Sequence, residues 1–137
     1  MKINEIMTTD VRTIGPEQSI RDAAMLMADI DSGALLVGEN DRLVGMITDR
    51  DITLRAVAKG MKGDTPVREV MTPDVRYCFE DEEVDHVAQN MAEIQVRRLP
   101  VLNREKRLTG IVSLGNIAEA DQQQSSATVL EGVAQAH

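Results

Sequence analysis

Two short polar patterns contain the residue types that could bind a sugar–phosphate ligand. Thr48 lies where an apolar stretch gives way to a helical pattern, and Asp51 follows three residues later. A hydroxyl at such a point, together with the free backbone amides of a helix start, can face an anion. A carboxylate three residues on lies on the same side of the first turn. There it can accept hydrogen bonds from both hydroxyls of a ribose.

The same residues also have a purely structural interpretation. Thr-x-x-Asp is a capping box, which stabilises many helices that bind no ligand by about 1 kcal/mol. The local pattern leaves both interpretations open. A second pattern, Ser113 with Asn116, keeps the hydroxyl but replaces the acid with an amide. Because an amide accepts hydrogen bonds without a charge, we expect a site there to be weaker or to serve another ligand.

A pair of arginines, Arg97 and Arg98, precedes a predicted strand. Successive side chains on a strand point to opposite faces, so at most one of the two enters a given cleft. The planar guanidinium suits phosphate. The alternative is that both arginines are ordinary surface residues.

The sequence has no pattern that suggests catalysis or a bound metal. With two histidines and one cysteine, a structural zinc site within one chain is not expected. A Gly-rich phosphate loop with its lysine is missing, as is any acid–base or nucleophile pattern. We therefore predict a non-catalytic protein with no required cofactor, in which Cys78 is a small core residue and His86 a surface residue.

Composition narrows the choice of partners. Apolar residues make up 42% of the 137, but the only aromatics are one Tyr and one Phe, so stacking platforms for nucleic-acid bases are missing. A net charge of −8 repels phosphate backbones, which makes nucleic acid an unexpected partner.

The lone cysteine favours a reducing compartment. With no signal-peptide pattern and no apolar run of about 20 residues, we expect a cytoplasmic location and no membrane partner.

The chain contains an internal repeat. Residues 3–12 reappear as residues 67–76, and the offset of 64 continues through the following helical pattern. One extra residue in a turn then changes the offset to 65, so that residues 42–48 pair with residues 107–113. Repeats at a fixed spacing indicate a duplicated structural unit.

Each copy has the pattern of strand, helix, two strands and helix, which predicts an α/β fold of two β-α-β-β-α repeats. We place the first repeat at residues 1–62, the second at 63–120, and a polar C-terminal tail at 121–137. The linker is short, so we expect the copies to share a core. The predicted core residues are Ile20, Ala24, Met27, Leu35, Val37, Ile47, Val84, Ala88, Met91, Leu99, Val101 and Val112.

The duplicated pattern resembles the paired CBS domain, or Bateman module, over about residues 1–120. The resemblance depends on three sets of residues: the Met-Thr segments at 7–8 and 71–72, the Arg-Leu-Pro-Val run at 98–101, and the strand-to-helix motifs at 45–51 and 110–116. It implies a pseudo-twofold pair of repeats with two clefts that bind AMP, ADP, ATP or similar adenosine ligands. It also implies pairing into flat dimers, and many members regulate an attached enzyme or transporter. We therefore expect a homodimer with a protein partner.

The resemblance assigns roles to individual residues. It assigns phosphate binding to Thr48 and ribose binding to Asp51, with Ser113 and Asn116 as their counterparts in the second cleft. It also places phosphate near Arg97 and Arg98. The residues that it places around the adenine are Thr13, Ile14, Ala34, Tyr77 and Cys78. We therefore expect a regulatory adenosine sensor, and the alternative is a structural or interaction module with vestigial sites.

Overall fold

In a computed structural model, which describes residues 1–122, the strands and helices occur twice in the same order. The first set contains β1 (Thr13–Ile14), α1 (Ile20–Ile30), β2 (Ala34–Glu39) and β3 (Arg42–Thr48). It ends in a helix, α2, that is α-helical over Asp49–Asp51, a π-helix over Ile52–Ala56 and a 3-10 helix over Val57–Lys59. The second set is β4 (Cys78–Phe79), α3 (Val84–Ile94), β5 (Arg98–Leu102), β6 (Leu108–Ser113) and α4, helical over 114–122. The predicted α/β class and the β-α-β-β-α order are confirmed.

Each repeat forms a three-stranded sheet, in the orders β1-β2-β3 and β4-β5-β6. In the first sheet β1 runs parallel to β2, with Thr13 opposite Leu36, and β2 runs antiparallel to β3. The antiparallel register places Ala34 opposite Thr48. The start of β2 and the end of β3 therefore lie together at the point where α2 begins.

Local sequence accounts for the ends of the long helices. The Ser19 side chain accepts a hydrogen bond from the Asp22 backbone N–H at 3.0 Å, which caps the start of α1. The helix ends at Asp31, whose φ of 53° is left-handed, and α3 ends in the same way at Gln95 with a φ of 60°.

The described residues form two compact units that exchange their leading segments. The first-repeat unit consists of Val11–Arg76 and Arg104–Leu108; the second-repeat unit consists of Met1–Asp10, Tyr77–Asn103 and the residues from Thr109 onward. Residues 1–10, at the start of the first repeat, thus belong to the unit built around the second repeat. The boundaries predicted from the repeat describe the duplication in the sequence, whereas the compact units follow the packing.

Two glycines explain how the exchanged segments pack so closely. A Cβ on Gly45 would lie 2.7 Å from the Met71 sulfur and 2.8 Å from the Thr72 carbonyl oxygen. In the other unit, a Cβ on Gly110 would lie 2.7 Å from the Met7 sulfur and 2.8 Å from the Thr8 carbonyl oxygen. Each Met-Thr segment therefore packs on a glycine within its own unit, which is a physical reason for the repetition of both motifs.

The buried side chains form two clusters, one in each unit, rather than the single core predicted. The first-repeat cluster includes Val67 and Val70, and the second-repeat cluster includes Ile3, so each cluster contains residues from both repeats. The prediction that Ala24 is buried is wrong, because Ala23 occupies the inward position on α1. Ala88 is half-buried, and the other predicted core residues are buried. Most of the predicted tail, residues 123–137, lies outside the described residues.

Candidate functional site

The first candidate site is the junction between β3 and α2, where Thr48 and Asp51 form a complete capping box. The Thr48 hydroxyl oxygen accepts a hydrogen bond from the Asp51 backbone N–H at 3.0 Å. In return, Oδ2 of Asp51 accepts one from the Thr48 backbone N–H at 3.0 Å. The structural interpretation of this pair is therefore correct, but it does not exclude a second role.

The capping box occupies only one of the two carboxylate oxygens of Asp51. Its Oδ1 lies 3.9 Å from Nη1 of Arg55, and the Asp51 side chain remains 18% exposed. The same Arg55 nitrogen donates a long hydrogen bond of 3.5 Å to the Met71 carbonyl oxygen. Sequence reasoning missed Arg55, although its position four residues after Asp51 on a helix was the signal that could have found it.

The second candidate site, at the junction of β6 and α4, has the same backbone arrangement but a different balance of donors and acceptors. Oδ1 of Asn116 accepts from the Ser113 backbone N–H at 2.9 Å and from the Ser113 hydroxyl at 3.0 Å. The Ser113 oxygen accepts from the Asn116 backbone N–H at 3.1 Å. Both lone pairs of the amide oxygen are thus occupied, so Asn116 can offer a ligand its NH₂ donor but no free acceptor.

An equivalent backbone hydrogen bond occurs in both repeats, one residue after Thr48 and Ser113. The Asp49 N–H donates to the Gly33 carbonyl at 2.9 Å, and the Leu114 N–H donates to the Arg97 carbonyl at 3.0 Å. The side chains at this point differ. The Asp49 carboxylate fills the space beside Gly33, where a Cβ would lie 2.9 Å from its Oδ2. In the second repeat an exposed arginine and an exposed leucine occupy the equivalent positions.

The residues expected around the adenine divide into buried and exposed groups. Ile14 and Cys78 belong to the buried clusters, so only their backbone groups can serve a ligand. Ala34 is half-buried opposite Thr48, while Thr13 is exposed and lines a groove beside α1. Tyr77 is exposed and packs edge-on against a phenylalanine ring.

Both arginines of the predicted phosphate site, Arg97 and Arg98, are exposed. Within residues 1–122 neither guanidinium has a hydrogen-bond or ion-pair partner, so each can reorient toward an anion.

Cys78 and His86 differ in environment. Burial, and secondarily the nearby Glu82 carboxylate, raise the pKa of the Cys78 thiol to about 12, so the thiol stays protonated and unreactive near neutral pH. His86 is exposed, with Nε2 lying 3.5 Å from a Glu82 oxygen.

Over residues 1–122 there is no cluster of three or more His, Cys, Asp or Glu side chains able to hold a metal. In the same range no helix combines the length and apolarity needed to cross a bilayer.

The comparisons with known proteins give the family. The CBS domain matches the chain twice, over residues 3–57 and 67–122. This chain belongs to the CBS domain family. The CBS domain-containing protein YhcV of Bacillus subtilis is 42% identical over 125 residues, which cover 91% of this chain and 89% of YhcV. The predicted resemblance is confirmed.

Solved structures of similar fold include CBS pairs with bound adenosine compounds. CBSX2, crystallised in complex with AMP, matches with a TM-score of 0.77 and 25% identity, covering 90% of this chain and 98% of CBSX2. The CBS domain pair of protein MJ0100, in complex with 5-methylthioadenosine and S-adenosyl-L-methionine, matches with a TM-score of 0.73 and 29% identity. That match covers 90% of this chain and 98% of the other.

Proposed function

We propose that this CBS pair is a non-catalytic regulatory module that binds an adenosine-containing ligand, with the ribose held at the junction of β3 and α2. The observation that carries the proposal is Oδ1 of Asp51, which takes no part in the completed capping box, lies 3.9 Å from Nη1 of Arg55 and belongs to a side chain that is 18% exposed. A fixed carboxylate oxygen of this kind can accept hydrogen bonds from ribose hydroxyls without disturbing the helix start. The complexes of CBSX2 with AMP and of MJ0100 with adenosine compounds support the choice of ligand class.

The other groups at this junction have complementary roles in the proposal. The Thr48 hydroxyl accepts one bond from the helix backbone, and its proton is free to be donated to a phosphate oxygen. Ala34, opposite Thr48, leaves room for the ligand, and the backbone near Thr13 and Ile14 offers hydrogen bonds to the base.

We assign Arg97 and Arg98 to phosphate, with at most one of them in a given cleft, because neither guanidinium is committed to another residue in the described part of the chain. The junction of Ser113 and Asn116, with the backbone of Tyr77 and Cys78, is the weaker second site. The amide oxygen there is already saturated.

The test is calorimetric titration of adenosine and AMP into the wild type and Asp51→Asn. Asn116 forms the equivalent cap in the second repeat, so asparagine should keep the helix start while removing the charged acceptor. Charge-assisted hydrogen bonds exceed neutral ones by roughly 1 kcal/mol, so we expect about fivefold weaker binding. Asp49→Asn is the matched control, since it removes a neighbouring carboxylate that makes no capping box and should have a smaller effect. Equal affinities of the wild type and Asp51→Asn would mean that Asp51 is only a helix cap.

One observation favours a second candidate function, an interaction module without a ligand. The Thr48–Asp51 pair and the Ser113–Asn116 pair each form reciprocal hydrogen bonds across the helix start, as helix caps alone would. A thermal-shift series with adenosine, AMP and S-adenosylmethionine separates the two functions, because a ligand that binds the native state must raise the melting temperature. If none of these compounds shifts the melting temperature at millimolar concentration, the interaction module is the correct function.

We further propose that the module works as a cytoplasmic homodimer that regulates a partner protein. Leu54 and Val57, three residues apart on α2, are 46% and 67% exposed, and Met61 beyond the helix is 39% exposed. Pairing of two copies through this apolar strip would remove it from water. Light scattering should give twice the chain mass of 15.1 kDa, and a mass of one chain at micromolar concentration would contradict the dimer.

A further inference from the structure

Arg55 connects the proposed ribose site to the Met-Thr segment at residues 71–72. One of its guanidinium nitrogens, Nη1, lies 3.9 Å from Oδ1 of Asp51 and 3.5 Å from the carbonyl oxygen of Met71. Both distances exceed the roughly 2.7–3.2 Å of a well-formed hydrogen bond from a nitrogen donor. The guanidinium therefore lies between two acceptors without a close bond to either. All three residues belong to the first-repeat unit.

The helix that carries Arg55 has an uncommon geometry at this point. α2 changes from an α-helix to a π-helix over Ile52–Ala56, and Arg55 lies within that stretch. π-helical turns are rare and are frequently found at functional sites. By contrast α4, the counterpart of α2, is α-helical throughout residues 114–122. Within the described residues, the π-helical turn thus occurs in the repeat that contains Asp51 and Arg55.

The second repeat contains neither charge of this pair. At the offset of 65 residues, Asn116 replaces Asp51 and Ala120 replaces Arg55. The alanine is 8% exposed and its side chain has no hydrogen-bond donor. The Met-Thr segment at residues 7–8 nevertheless packs on its glycine in that unit. An arginine at this position is therefore not required to hold a Met-Thr segment in place.

Met71 begins the segment through which a movement of Arg55 would spread. The next residue, Thr72, exchanges two backbone hydrogen bonds with Met46 of β3, at 2.8 and 2.9 Å. β3 leads directly into α2, where the ribose site begins. The contacts therefore form a closed path from Asp51 through Arg55 and Met71 back to the strand that precedes the site.

We propose that Arg55 is a positioning residue that couples ligand binding at Asp51 to the packing of the 71–72 segment. The inference rests on the proposed function, since the ligand acts through the Asp51 carboxylate. Ribose hydroxyls that donate to Oδ1 offset part of its negative charge, which weakens its attraction for the guanidinium. Arg55 then bonds more closely to the Met71 carbonyl. The bound ligand thereby makes the segment open less often.

Hydrogen exchange of the Thr72 and Met46 amides, with and without saturating adenosine, measures this coupling. Both amides donate hydrogen bonds between the segment and β3, so their local exchange reports opening of the segment. We expect adenosine to slow this exchange about tenfold in the wild type, which is within the usual range of coupling between two sites. In Arg55→Ala the slowing should disappear, although calorimetric titration should still detect adenosine bound through Asp51.

Arg68→Ala is the matched control variant. Arg68 is 48% exposed, close to the 50% of Arg55, but its ion pairs are with Glu17 and Glu69. This variant should keep the full slowing by adenosine. Arg55→Lys tests the role of the guanidinium itself. Lysine keeps the positive charge but lacks the planar fork that can bond to two acceptors, so it should restore only part of the slowing.

The Thr8 and Ile111 amides, which form the equivalent hydrogen-bonded pair in the second-repeat unit, are the internal reference. Three results would overturn the coupling alone: no slowing in a wild type that binds adenosine, equal slowing in Arg55→Ala, or equal slowing of the reference amides. The last would mean that the ligand stabilises the whole protein. A wild type that gives no binding heat with adenosine would overturn the proposed function, and the coupling with it.

Discussion

Replacing Ile3 with alanine should destabilise the second-repeat unit, although Ile3 precedes the first repeat's own strands and helices in the chain. The Ile3 side chain is fully buried in the cluster that contains Val84, Val87 and Met91. Its backbone N–H also donates to the Glu82 carbonyl at 3.0 Å, a bond that alanine keeps. The loss is therefore one of packing, and truncating a fully buried isoleucine to alanine costs roughly 2–5 kcal/mol. Because the Ile3 side chain has no exposure in the native state, we expect the loss of unfolding free energy to lie inside that range rather than below it.

Denaturant unfolding and hydrogen exchange together measure this effect and its location. The midpoint should fall while the m-value stays constant, because the surface exposed on unfolding hardly changes. Amide protection should decrease in α3 and stay close to wild type in α1. Asn4→Ala, on the exposed side of the same segment, is the control and should change stability by less than about 0.5 kcal/mol. Lost protection in α1, with α3 unaffected, would refute the exchange of segments between the units.

Three further predictions concern single positions. Gly45→Ala should lower the free energy of unfolding by about 1–3 kcal/mol in a thermal melt, because the new Cβ would lie 2.8 Å from a backbone carbonyl oxygen. Gly115→Ala is the control and should be tolerated, because its Cβ would have its nearest neighbour at 3.5 Å. Cys78 should resist alkylation in the native state at pH 8. Burial raises the pKa of the Cys78 thiol from 9.0 to about 12, so between these pH values the folded thiol keeps a proton that the unfolded thiol loses. The free energy of unfolding should therefore fall as pH rises from about 9 to about 12. Cys78→Ala should remove this pH dependence. Asn116→Asp should strengthen adenosine binding at the second site toward that of the Asp51 site, as calorimetry of the two-site isotherm would detect; unchanged isotherms would count against a ribose role for this position.

The sequence was sufficient to predict the duplicated β-α-β-β-α fold and its family. The helical spacing of Ile20 and Met27, and of Val84 and Met91, identified the inward faces of α1 and α3 correctly. It could not decide between Ala23 and Ala24, which are adjacent in the pattern. The packing of α1 on its sheet makes that choice, with Ala23 fully buried and Ala24 exposed.

The candidate site was predicted in its residues but not in its hydrogen bonds. Thr48 and Asp51 stood out because a hydroxyl and a carboxylate three residues apart suit both a cap and a ribose. Whether the cap leaves a carboxylate oxygen unused depends on side-chain rotamers, and the position of Arg55 depends on the helix that follows. The sequence predicted a weaker ligand site at Asn116, because the amide side chain carries no charge. Its saturated oxygen could only be seen in the folded chain.

The sequence by itself determined which segments repeat, which faces are apolar and where chemistry is concentrated, because these properties depend on residue type and spacing. Only the tertiary structure decided that the Met-Thr segments leave the sheets they precede in sequence and complete the other cluster. The two copies of that segment are so alike that local propensity does not favour one destination over the other. The choice depends on long-range packing against Gly45 and Gly110, where the lack of a side chain lets a methionine and a backbone carbonyl approach.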